Sequence, residues 1–481
     1  MSFLSINFAL FLTFGLLLFH VLRQRLRIWL LLGLSLAFYA TWSTWHTALL
    51  SATVAGVYFS ARIIESSRDD KRKLGWVALT IGLLLLLLTA FKCAQDLLDR
   101  FSAAPTALDV TLLVIAPLGL SFYLFKLVGY LLDVYWERLP AQRSFAALLL
   151  YAAFFPQIVS GPIQRAGDFF AQLDSLGNSD PAAFLVGLRR ILFGLFKKIV
   201  IADQLAILVM HAHAAPLERS SAELLIGAYG FSLQMYADFS GLTDIAIGIG
   251  LLFGIKGPEN FARPYFAHNI QEFWRRWHMS LTSWLTDYLF MPLRMSLRRL
   301  GDWGLALAIF FNMVAVGIWH GPRWTYFVFG CINGVYMVVS ALTLKKRNTF
   351  FRQYPALSRV RGYAGPLLTF HLVVLTHIFF QAGSLHAALA YIAHLGAFSG
   401  GAGASPLHVD WTSFGLNRIR LAQAVLGLVA MEALEWSLTQ SQWVHRFNAA
   451  PRMVRWGIYY GVIAAVVMSA KGTTSFLYAQ F

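Results

Sequence analysis

Charge is what this chain lacks. Only 13% of its 481 residues are Asp, Glu, Lys or Arg, against roughly 25% in an ordinary soluble domain. Acidic residues are the scarcer kind, 23 against 39 basic. With 58% hydrophobic residues and a mean hydropathy of +0.60, the deficit excludes a soluble globular enzyme. Cysteine is also sparse: Cys93 and Cys331 stand far apart beside apolar runs, which fits neither a disulfide framework nor a zinc site. No structural metal and no bound cofactor are expected. There is no internal repeat, which weakens a transporter built from inverted halves. No nucleophile elbow, phosphate loop or dinucleotide fingerprint occurs on a strand-to-helix turn, so hydrolase, nucleotidase and Rossmann readings fall away.

What is present is membrane helix. A span takes on the order of 20 mostly apolar residues, and such segments recur from Ser5 to Ala470, predicting an all-α polytopic protein of about eleven transmembrane helices with re-entrant and interfacial pieces. Ile6 to Leu22 has neither a basic region before it nor a small-residue cleavage site after it, and reads as a retained helix. The net charge of +16 is not a nucleic-acid signal, because the cations sit at helix ends and are not interleaved with aromatics. Arg23, Arg25 and Arg27, then Arg68, Lys71, Arg72 and Lys73, then Arg138 and Arg143 mark cytoplasmic loops under the positive-inside rule, which places the N-terminus outside. The bilayer is the expected partner; nucleic acid is not.

Polar residues at membrane depth are costly and point to function. Residues 1–140 carry little beyond spanning helices until Pro117-Leu-Gly-Leu-Ser-Phe-Tyr, where Ser121, Tyr123, Lys126 and Asp133 thread an apolar helix. Phe155-Pro-Gln157-Ile-Val-Ser160-Gly-Pro-Ile is too broken to cross. It reads as a re-entrant loop beside a cavity, because non-helical backbone at depth must be buried in protein or face water; the alternative is an interfacial elbow. Asp238, Ser240 and Asp244 follow on one helix. Six residues apart, the two carboxylates lie about 120° apart around the axis, so capping or pairing with Arg is expected before a shared catalytic dyad. Gln271 to Leu293 mixes Trp and charge as an interfacial amphipathic helix does.

Two histidines carry the chemistry. His320 ends the apolar stretch Asn312-Met-Val-Ala-Val-Gly-Ile-Trp319-His320-Gly321, and His278 ends Phe273-Trp-Arg275-Arg276-Trp277-His278. A buried neutral imidazole accepts a proton from an attacking hydroxyl; a core histidine donating to a helix carbonyl is the other reading of His320. Arg275 and Arg276 could offer a cationic mouth to a phosphorylated acyl carrier such as coenzyme A, or anchor the loop to the cytoplasmic face.

At these residues the chain resembles the membrane-bound O-acyltransferase family, within it the branch of the alginate O-acetyltransferase membrane subunit. The likeness runs through Phe38-Tyr-Ala-Thr-Trp42, the Pro117 and Phe155 segments, Asp238-Phe-Ser-Gly-Leu-Thr-Asp244, Glu272-Phe-Trp-Arg-Arg-Trp-His278, Gly317-Ile-Trp-His-Gly321 and the ending Ser475-Phe-Leu-Tyr-Ala-Gln-Phe481. The resemblance implies a single domain over 1–481, with N-terminal helices to 140, a catalytic core over 141–345 and C-terminal helices over 346–481, ringed around a central tunnel. It implies His320 and His278 as the catalytic pair. Trp319, Gly321, Asn312, Asp238, Ser240, Asp244, Gln157 and Ser160 are expected at the tunnel, and Arg275, Arg276 and Trp277 at the donor. Acetyl-coenzyme A would arrive from the cytoplasm of a bacterium, across the inner membrane from an extracytoplasmic acetyl-accepting or polysaccharide-modifying partner. Two departures set the chain apart from the alginate branch, and the first keeps a D-alanyl donor on an acyl carrier protein open as an alternative. Asp287-Tyr-Leu-Phe-Met-Pro-Leu runs into Arg294-Met-Ser-Leu-Arg-Arg where the alginate branch carries Gly-Gly-Asn-Arg, and Gln381 stands where an Arg often follows the paired Phe residues. A non-enzymatic polysaccharide or ion transporter is the reading of another class.

Overall fold

The computed structural model describes residues 1–101, 116–176, 180–398, 405–411 and 418–470; the Ser475–Phe481 ending and most of the glycine-rich stretch after Ser399 lie outside them. Among the described residues there is no β-strand. The helices are α1 (Ile6–Val21), α2 (Gln24–Ala40), α3 (Thr44–Ser66), α4 (Asp70–Phe101), α5 (Leu120–Tyr135), α6 (Phe145–Ala153), α7 (Phe155–Ile158), α8 (Ala166–Leu173), α9 (Pro181–Phe196), α10 (Asp203–Ala214), α11 (Ser221–Leu252), α12 (Ile270–Arg276), α13 (Met279–Leu285), α14 (Met291–Ser296), α15 (Gly301–His320), α16 (Trp324–Gln353), α17 (Pro355–Gln381), α18 (Leu385–Gly396), α19 (Arg418–Leu438), α20 (Ser441–Ala449) and α21 (Arg452–Ser469). Among the described residues seven helical stretches are long and apolar enough to cross a membrane, and α1 and α18 are shorter apolar helices. Length and composition therefore do not yield the eleven crossings expected from the sequence. Large apolar side chains such as Leu83, Leu86, Phe311, Val339 and Val467 are exposed, as lipid-facing residues are.

The chain divides into two compact units. The first comprises Met1–Ile191 with Thr243–Pro258, the second Leu192–Leu242 with Glu259–Phe481. In the first unit the broken segment after Phe154 is buried throughout, from Phe155 to Gln164. Its polar groups are met internally. Lys126 on α5 donates to the Tyr151 carbonyl at 3.0 Å and to Gln157 Oε1 at 2.8 Å; Gln157 Nε2 donates to Gln164 Oε1 at 2.7 Å, and Gln164 reaches the Lys256 carbonyl at 3.1 Å. Gly119, at φ +68°, lets the start of α5 close on this segment: a Cβ there would stand 1.7 Å from the Ile158 carbonyl oxygen. Phe8, Phe38, Phe155 and Phe253 pack edge and tilt around it.

In the second unit a buried π-helical turn, Lys197–Ala202, carries two lysines. Lys198 Nζ lies 2.7 Å from Asp238 and 2.9 Å from Asp203. Lys197 Nζ lies 2.6 Å from Glu435 on α19, whose other oxygen accepts from Tyr236 at 2.5 Å. Charges taken this far from water persist only when paired, so each cation has its carboxylate. The amphipathic helix expected over Gln271–Leu293 is interrupted. The backbone turns between α12 and α13, where Ala262 N–H donates to the Arg276 carbonyl at 3.0 Å and Met279 N–H to the Asn260 carbonyl at 2.9 Å, and a π-helical turn over Thr286–Phe290 separates α13 from α14. These contacts with residues 260–262 outcompete helix continuity.

Candidate active site

The second unit contains a cavity of about 20 Å3 lined by Met235, Phe273, Trp274, Trp277, His278, Leu281, Val316, His320, Phe329, Asn333, Thr376, His377 and Phe380. That is room for one water-sized group. Three imidazoles share the wall with Asn333, Thr376 and apolar or aromatic side chains, and no carboxylate lines it.

His278 is placed by backbone strain. It caps α13 in the left-handed region, φ +44° and ψ +52°, a conformation that costs a bulky residue energy and is found where the surroundings overdetermine it. Its Nδ1 lies 3.1 Å from Asn260 Oδ1. The same oxygen accepts the Ser280 backbone N–H at 3.2 Å and the Ser280 hydroxyl at 2.8 Å. Because a backbone N–H only donates, the Asn260 atom is the oxygen, and His278 must meet it with Nδ1–H. Nε2 is then the basic nitrogen. Phe239 stands edge-on to the ring at 4.8 Å. This break lies outside the seven spans, and burial pushes the His278 imidazole down to about 3, so the neutral form is the resident one.

His320 closes α15, half-buried. Phe380 stands edge-on to it at 4.7 Å and 85°, Phe329 at 6.2 Å and 85°, and Trp319 packs at 4.6 Å. Its position depends on how closely α15 meets α16. A Cβ on Gly317 would stand 2.3 Å from the Tyr326 carbonyl oxygen, so only glycine permits the approach, as small residues do between membrane helices.

The other expected site residues fall in several places. Trp277 lines the cavity with the histidines. Trp319 touches both histidine rings, at 6.2 Å from His278, but neither it, Gly321 nor Asn312 is in the lining. Asp238 is engaged with Lys198, Ser240 is buried two residues from it on α11, and Asp244 pairs with Arg190 at 2.8 Å in the first unit. Gln157 and Ser160 belong to the buried broken segment of the first unit, where Ser160 donates to the Val159 carbonyl. Arg275 is exposed. Arg276 pairs with Glu272 and reaches the Arg263 carbonyl. Sequence reasoning missed Asn260, Asn333 and His377. Asn260 and His377 sit where an isolated polar residue in an unremarked stretch carries no motif.

A profile of the MBOAT, membrane-bound O-acyltransferase family, matches residues 137–380. The chain belongs to that family. The match takes in every residue lining the cavity. This O-acyltransferase is 33% identical over 418 residues to a probable alginate O-acetylase of Pseudomonas putida, covering 86% of this chain and 81% of the relative. It is 32% identical over 398 residues to a peptidoglycan O-acetyltransferase of Helicobacter pylori, covering 76% and 72%. To a teichoic acid D-alanyltransferase of Bacillus subtilis it is 30% identical over 288 residues, 57% of this chain and 70% of the relative. A multi-pass membrane O-acyltransferase is thus established, in agreement with the fold class read from the sequence.

Proposed function

We propose that this O-acyltransferase moves acetyl groups from acetyl-coenzyme A, across the bacterial inner membrane, for O-acetylation of a cell-envelope or exopolysaccharide such as alginate. The observation that carries the reading is the cavity, which holds three imidazoles, aromatic walls and no carboxylate. An acetyl group is uncharged and asks for no counter-charge there. A D-alanyl group brings an ammonium, and a buried cation without a counter-charge is strongly disfavoured. The longer coverage of the O-acetylating relatives points the same way.

In this reading His320 takes the proton of the acceptor hydroxyl as its oxygen bonds to the acyl carbon. The carbon–sulfur bond then breaks, and the departing thiolate receives that proton. His278, locked with Nε2 unprotonated, supplies a second acceptor for the hydroxyl before attack. Arg275, exposed at the edge of α12, is the cation available to the phosphates of coenzyme A. The acetyl group passes to an extracytoplasmic protein or polysaccharide.

The test offers purified protein in liposomes labelled acetyl-coenzyme A or a labelled D-alanyl thioester on an acyl carrier protein. Transfer from the first alone is expected, and Arg275→Ala should raise its KM. Transfer from the second alone would overturn the acetyl assignment.

A further inference from the structure

The turn joining α16 to α17 carries cations and no acid. Lys345, Lys346, Arg347, Arg352, Arg359 and Arg361 fall within 17 residues, and no Asp or Glu occurs between Asp302 and Asp410. Among the described residues none of the six pairs with a carboxylate. Cations near other helix ends do have one: Lys73 meets Glu137 and Arg143 meets Glu65, each at 2.8 Å. Placement of positive charge on the inner face explains why the six are basic, but not why they stand unneutralised.

Their depth follows from helix length. Residues 324–344 of α16 number 21 and include no Asp, Glu, Lys or Arg, so they rise about 31 Å at 1.5 Å each, the thickness of a hydrocarbon core. Residues 362–381 of α17, 20 residues equally free of charge, rise about 30 Å. Lys345, Lys346 and Arg347 therefore leave one helix, and Arg361 enters the other, at the level of phospholipid headgroups. There the two arginines are brought together. Arg347 donates through Nη2 to the Ser340 carbonyl at 2.8 Å and to its hydroxyl at 3.2 Å, while its Nε is buried with no partner among the described residues. The Arg361 guanidinium lies 4.6 Å over the Phe351 ring, near enough to Arg347 for its charge to act there. Two such cations repel, and an unmet buried donor is costly. One phosphate reaching both relieves both, because the guanidinium fork matches its oxygens.

We infer that this turn is a docking surface for anionic phospholipid of the cytoplasmic leaflet, a headgroup phosphate lying between Arg347 and Arg361 with Lys345 and Lys346 beside it. Basic residues at this depth are attracted to an anionic leaflet. Leu342 and Leu344, exposed directly beneath the lysines, offer the acyl chains a surface that a water-soluble phosphate would leave unused. Tyr363, 86% exposed beside Arg361, is the aromatic expected at a membrane–water boundary. The inference holds whichever acyl donor the enzyme uses.

The experiment follows thermal unfolding of the full-length protein by tryptophan fluorescence in detergent micelles doped with phosphatidylglycerol or with phosphatidylcholine. Wild type is compared with Arg347→Gln/Arg361→Gln and with Arg298→Gln/Arg299→Gln, which removes two exposed cations elsewhere on the chain. Phosphatidylglycerol should raise the wild-type midpoint, since a ligand of the folded state stabilises it, and phosphatidylcholine should not. Arg298→Gln/Arg299→Gln should keep that rise and Arg347→Gln/Arg361→Gln should lose most of it. No rise with phosphatidylglycerol, or equal rises in the two variants, overturns the inference. If Arg347→Gln/Arg361→Gln does not fold, Lys345→Gln/Lys346→Gln, both exposed, takes its place and should show a smaller rise than Arg298→Gln/Arg299→Gln; equal rises again overturn the inference. Coenzyme A offered in place of lipid should give no rise that depends on Arg347 and Arg361, and one that their replacement removes would assign the surface to a soluble phosphate ligand instead.

Discussion

Asn260 Oδ1 and His278 Nδ1 lie 3.1 Å apart, and this contact fixes which nitrogen of the histidine is basic. Three donors converge on the one amide oxygen: the imidazole, the Ser280 backbone N–H and the Ser280 hydroxyl. The strained turn at His278 is held by those bonds together with the backbone pairing of Met279 to Asn260.

Replacing Asn260 with Leu keeps the volume and removes the acceptor. Three buried donors then lose their partner, each at about 1–3 kcal/mol if water cannot replace it. Transfer should fall at least tenfold and the thermal midpoint should drop, as read by fluorescence in detergent. An Asn260→Leu protein with wild-type kcat would show that His278 needs no such orientation.

The depressed His278 imidazole has a pH signature. Between about 3 and its ordinary 6.5 the folded protein binds fewer protons than the unfolded chain, so this group's contribution is complete above pH 6.5 and is lost as pH falls. Asn260→Asp places a carboxylate beside Nδ1–H and raises the imidazole, which reduces that loss. The difference in thermal midpoint between wild type and Asn260→Asp, followed from pH 7.5 to 4.5, should therefore shift in favour of the variant as the pH drops. A difference that does not vary with pH contradicts the assignment.

The histidine pair and the buried broken segment were legible in the sequence because each is an oddity against an apolar background. Asn260 and His377 were not. Asn260 meets His278 from 18 residues away, and His377 meets Ser232 from 145; neither separation carries a period that a helix imposes. The single helix expected over Gln271–Leu293 failed for a related reason, since its polarity pattern is helical while its break is imposed by residues 260–262. Asp238 and Asp244 carried an expectation of pairing, and their partners are Lys198 and Arg190. Which cation takes which carboxylate is a matter of tertiary packing.

The lysine on the π-helical turn gives a stability prediction. Lys198→Met leaves Asp203 and Asp238 buried without their cation, and breaking such a pair from one side costs about 3–5 kcal/mol. The triple change Lys198→Met, Asp203→Leu and Asp238→Leu removes all the charge and should cost less than the single one. Thermal midpoints in detergent order the two, and a triple variant less stable than Lys198→Met would contradict the electrostatic account.

Gly317 controls His320 through the backbone. Gly317→Ala forces a methyl onto the Tyr326 carbonyl at 2.3 Å, so α15 and α16 must separate and the histidine at the end of α15 must move. Activity should fall by about 100-fold, the scale of a 1 Å misplacement, while a control at Gly82, where a Cβ meets nothing within 4 Å, should keep wild-type activity. Equal activities would remove the packing argument.

The central claim is that an imidazole in this cavity drives acyl transfer. It is tested most directly by acetyl transfer from radiolabelled acetyl-coenzyme A in proteoliposomes, comparing wild type with His320→Ala of equal thermal midpoint, with a candidate extracytoplasmic acceptor present. The account predicts label on the acceptor with wild type and none above background with His320→Ala. Equal label with both proteins would contradict it.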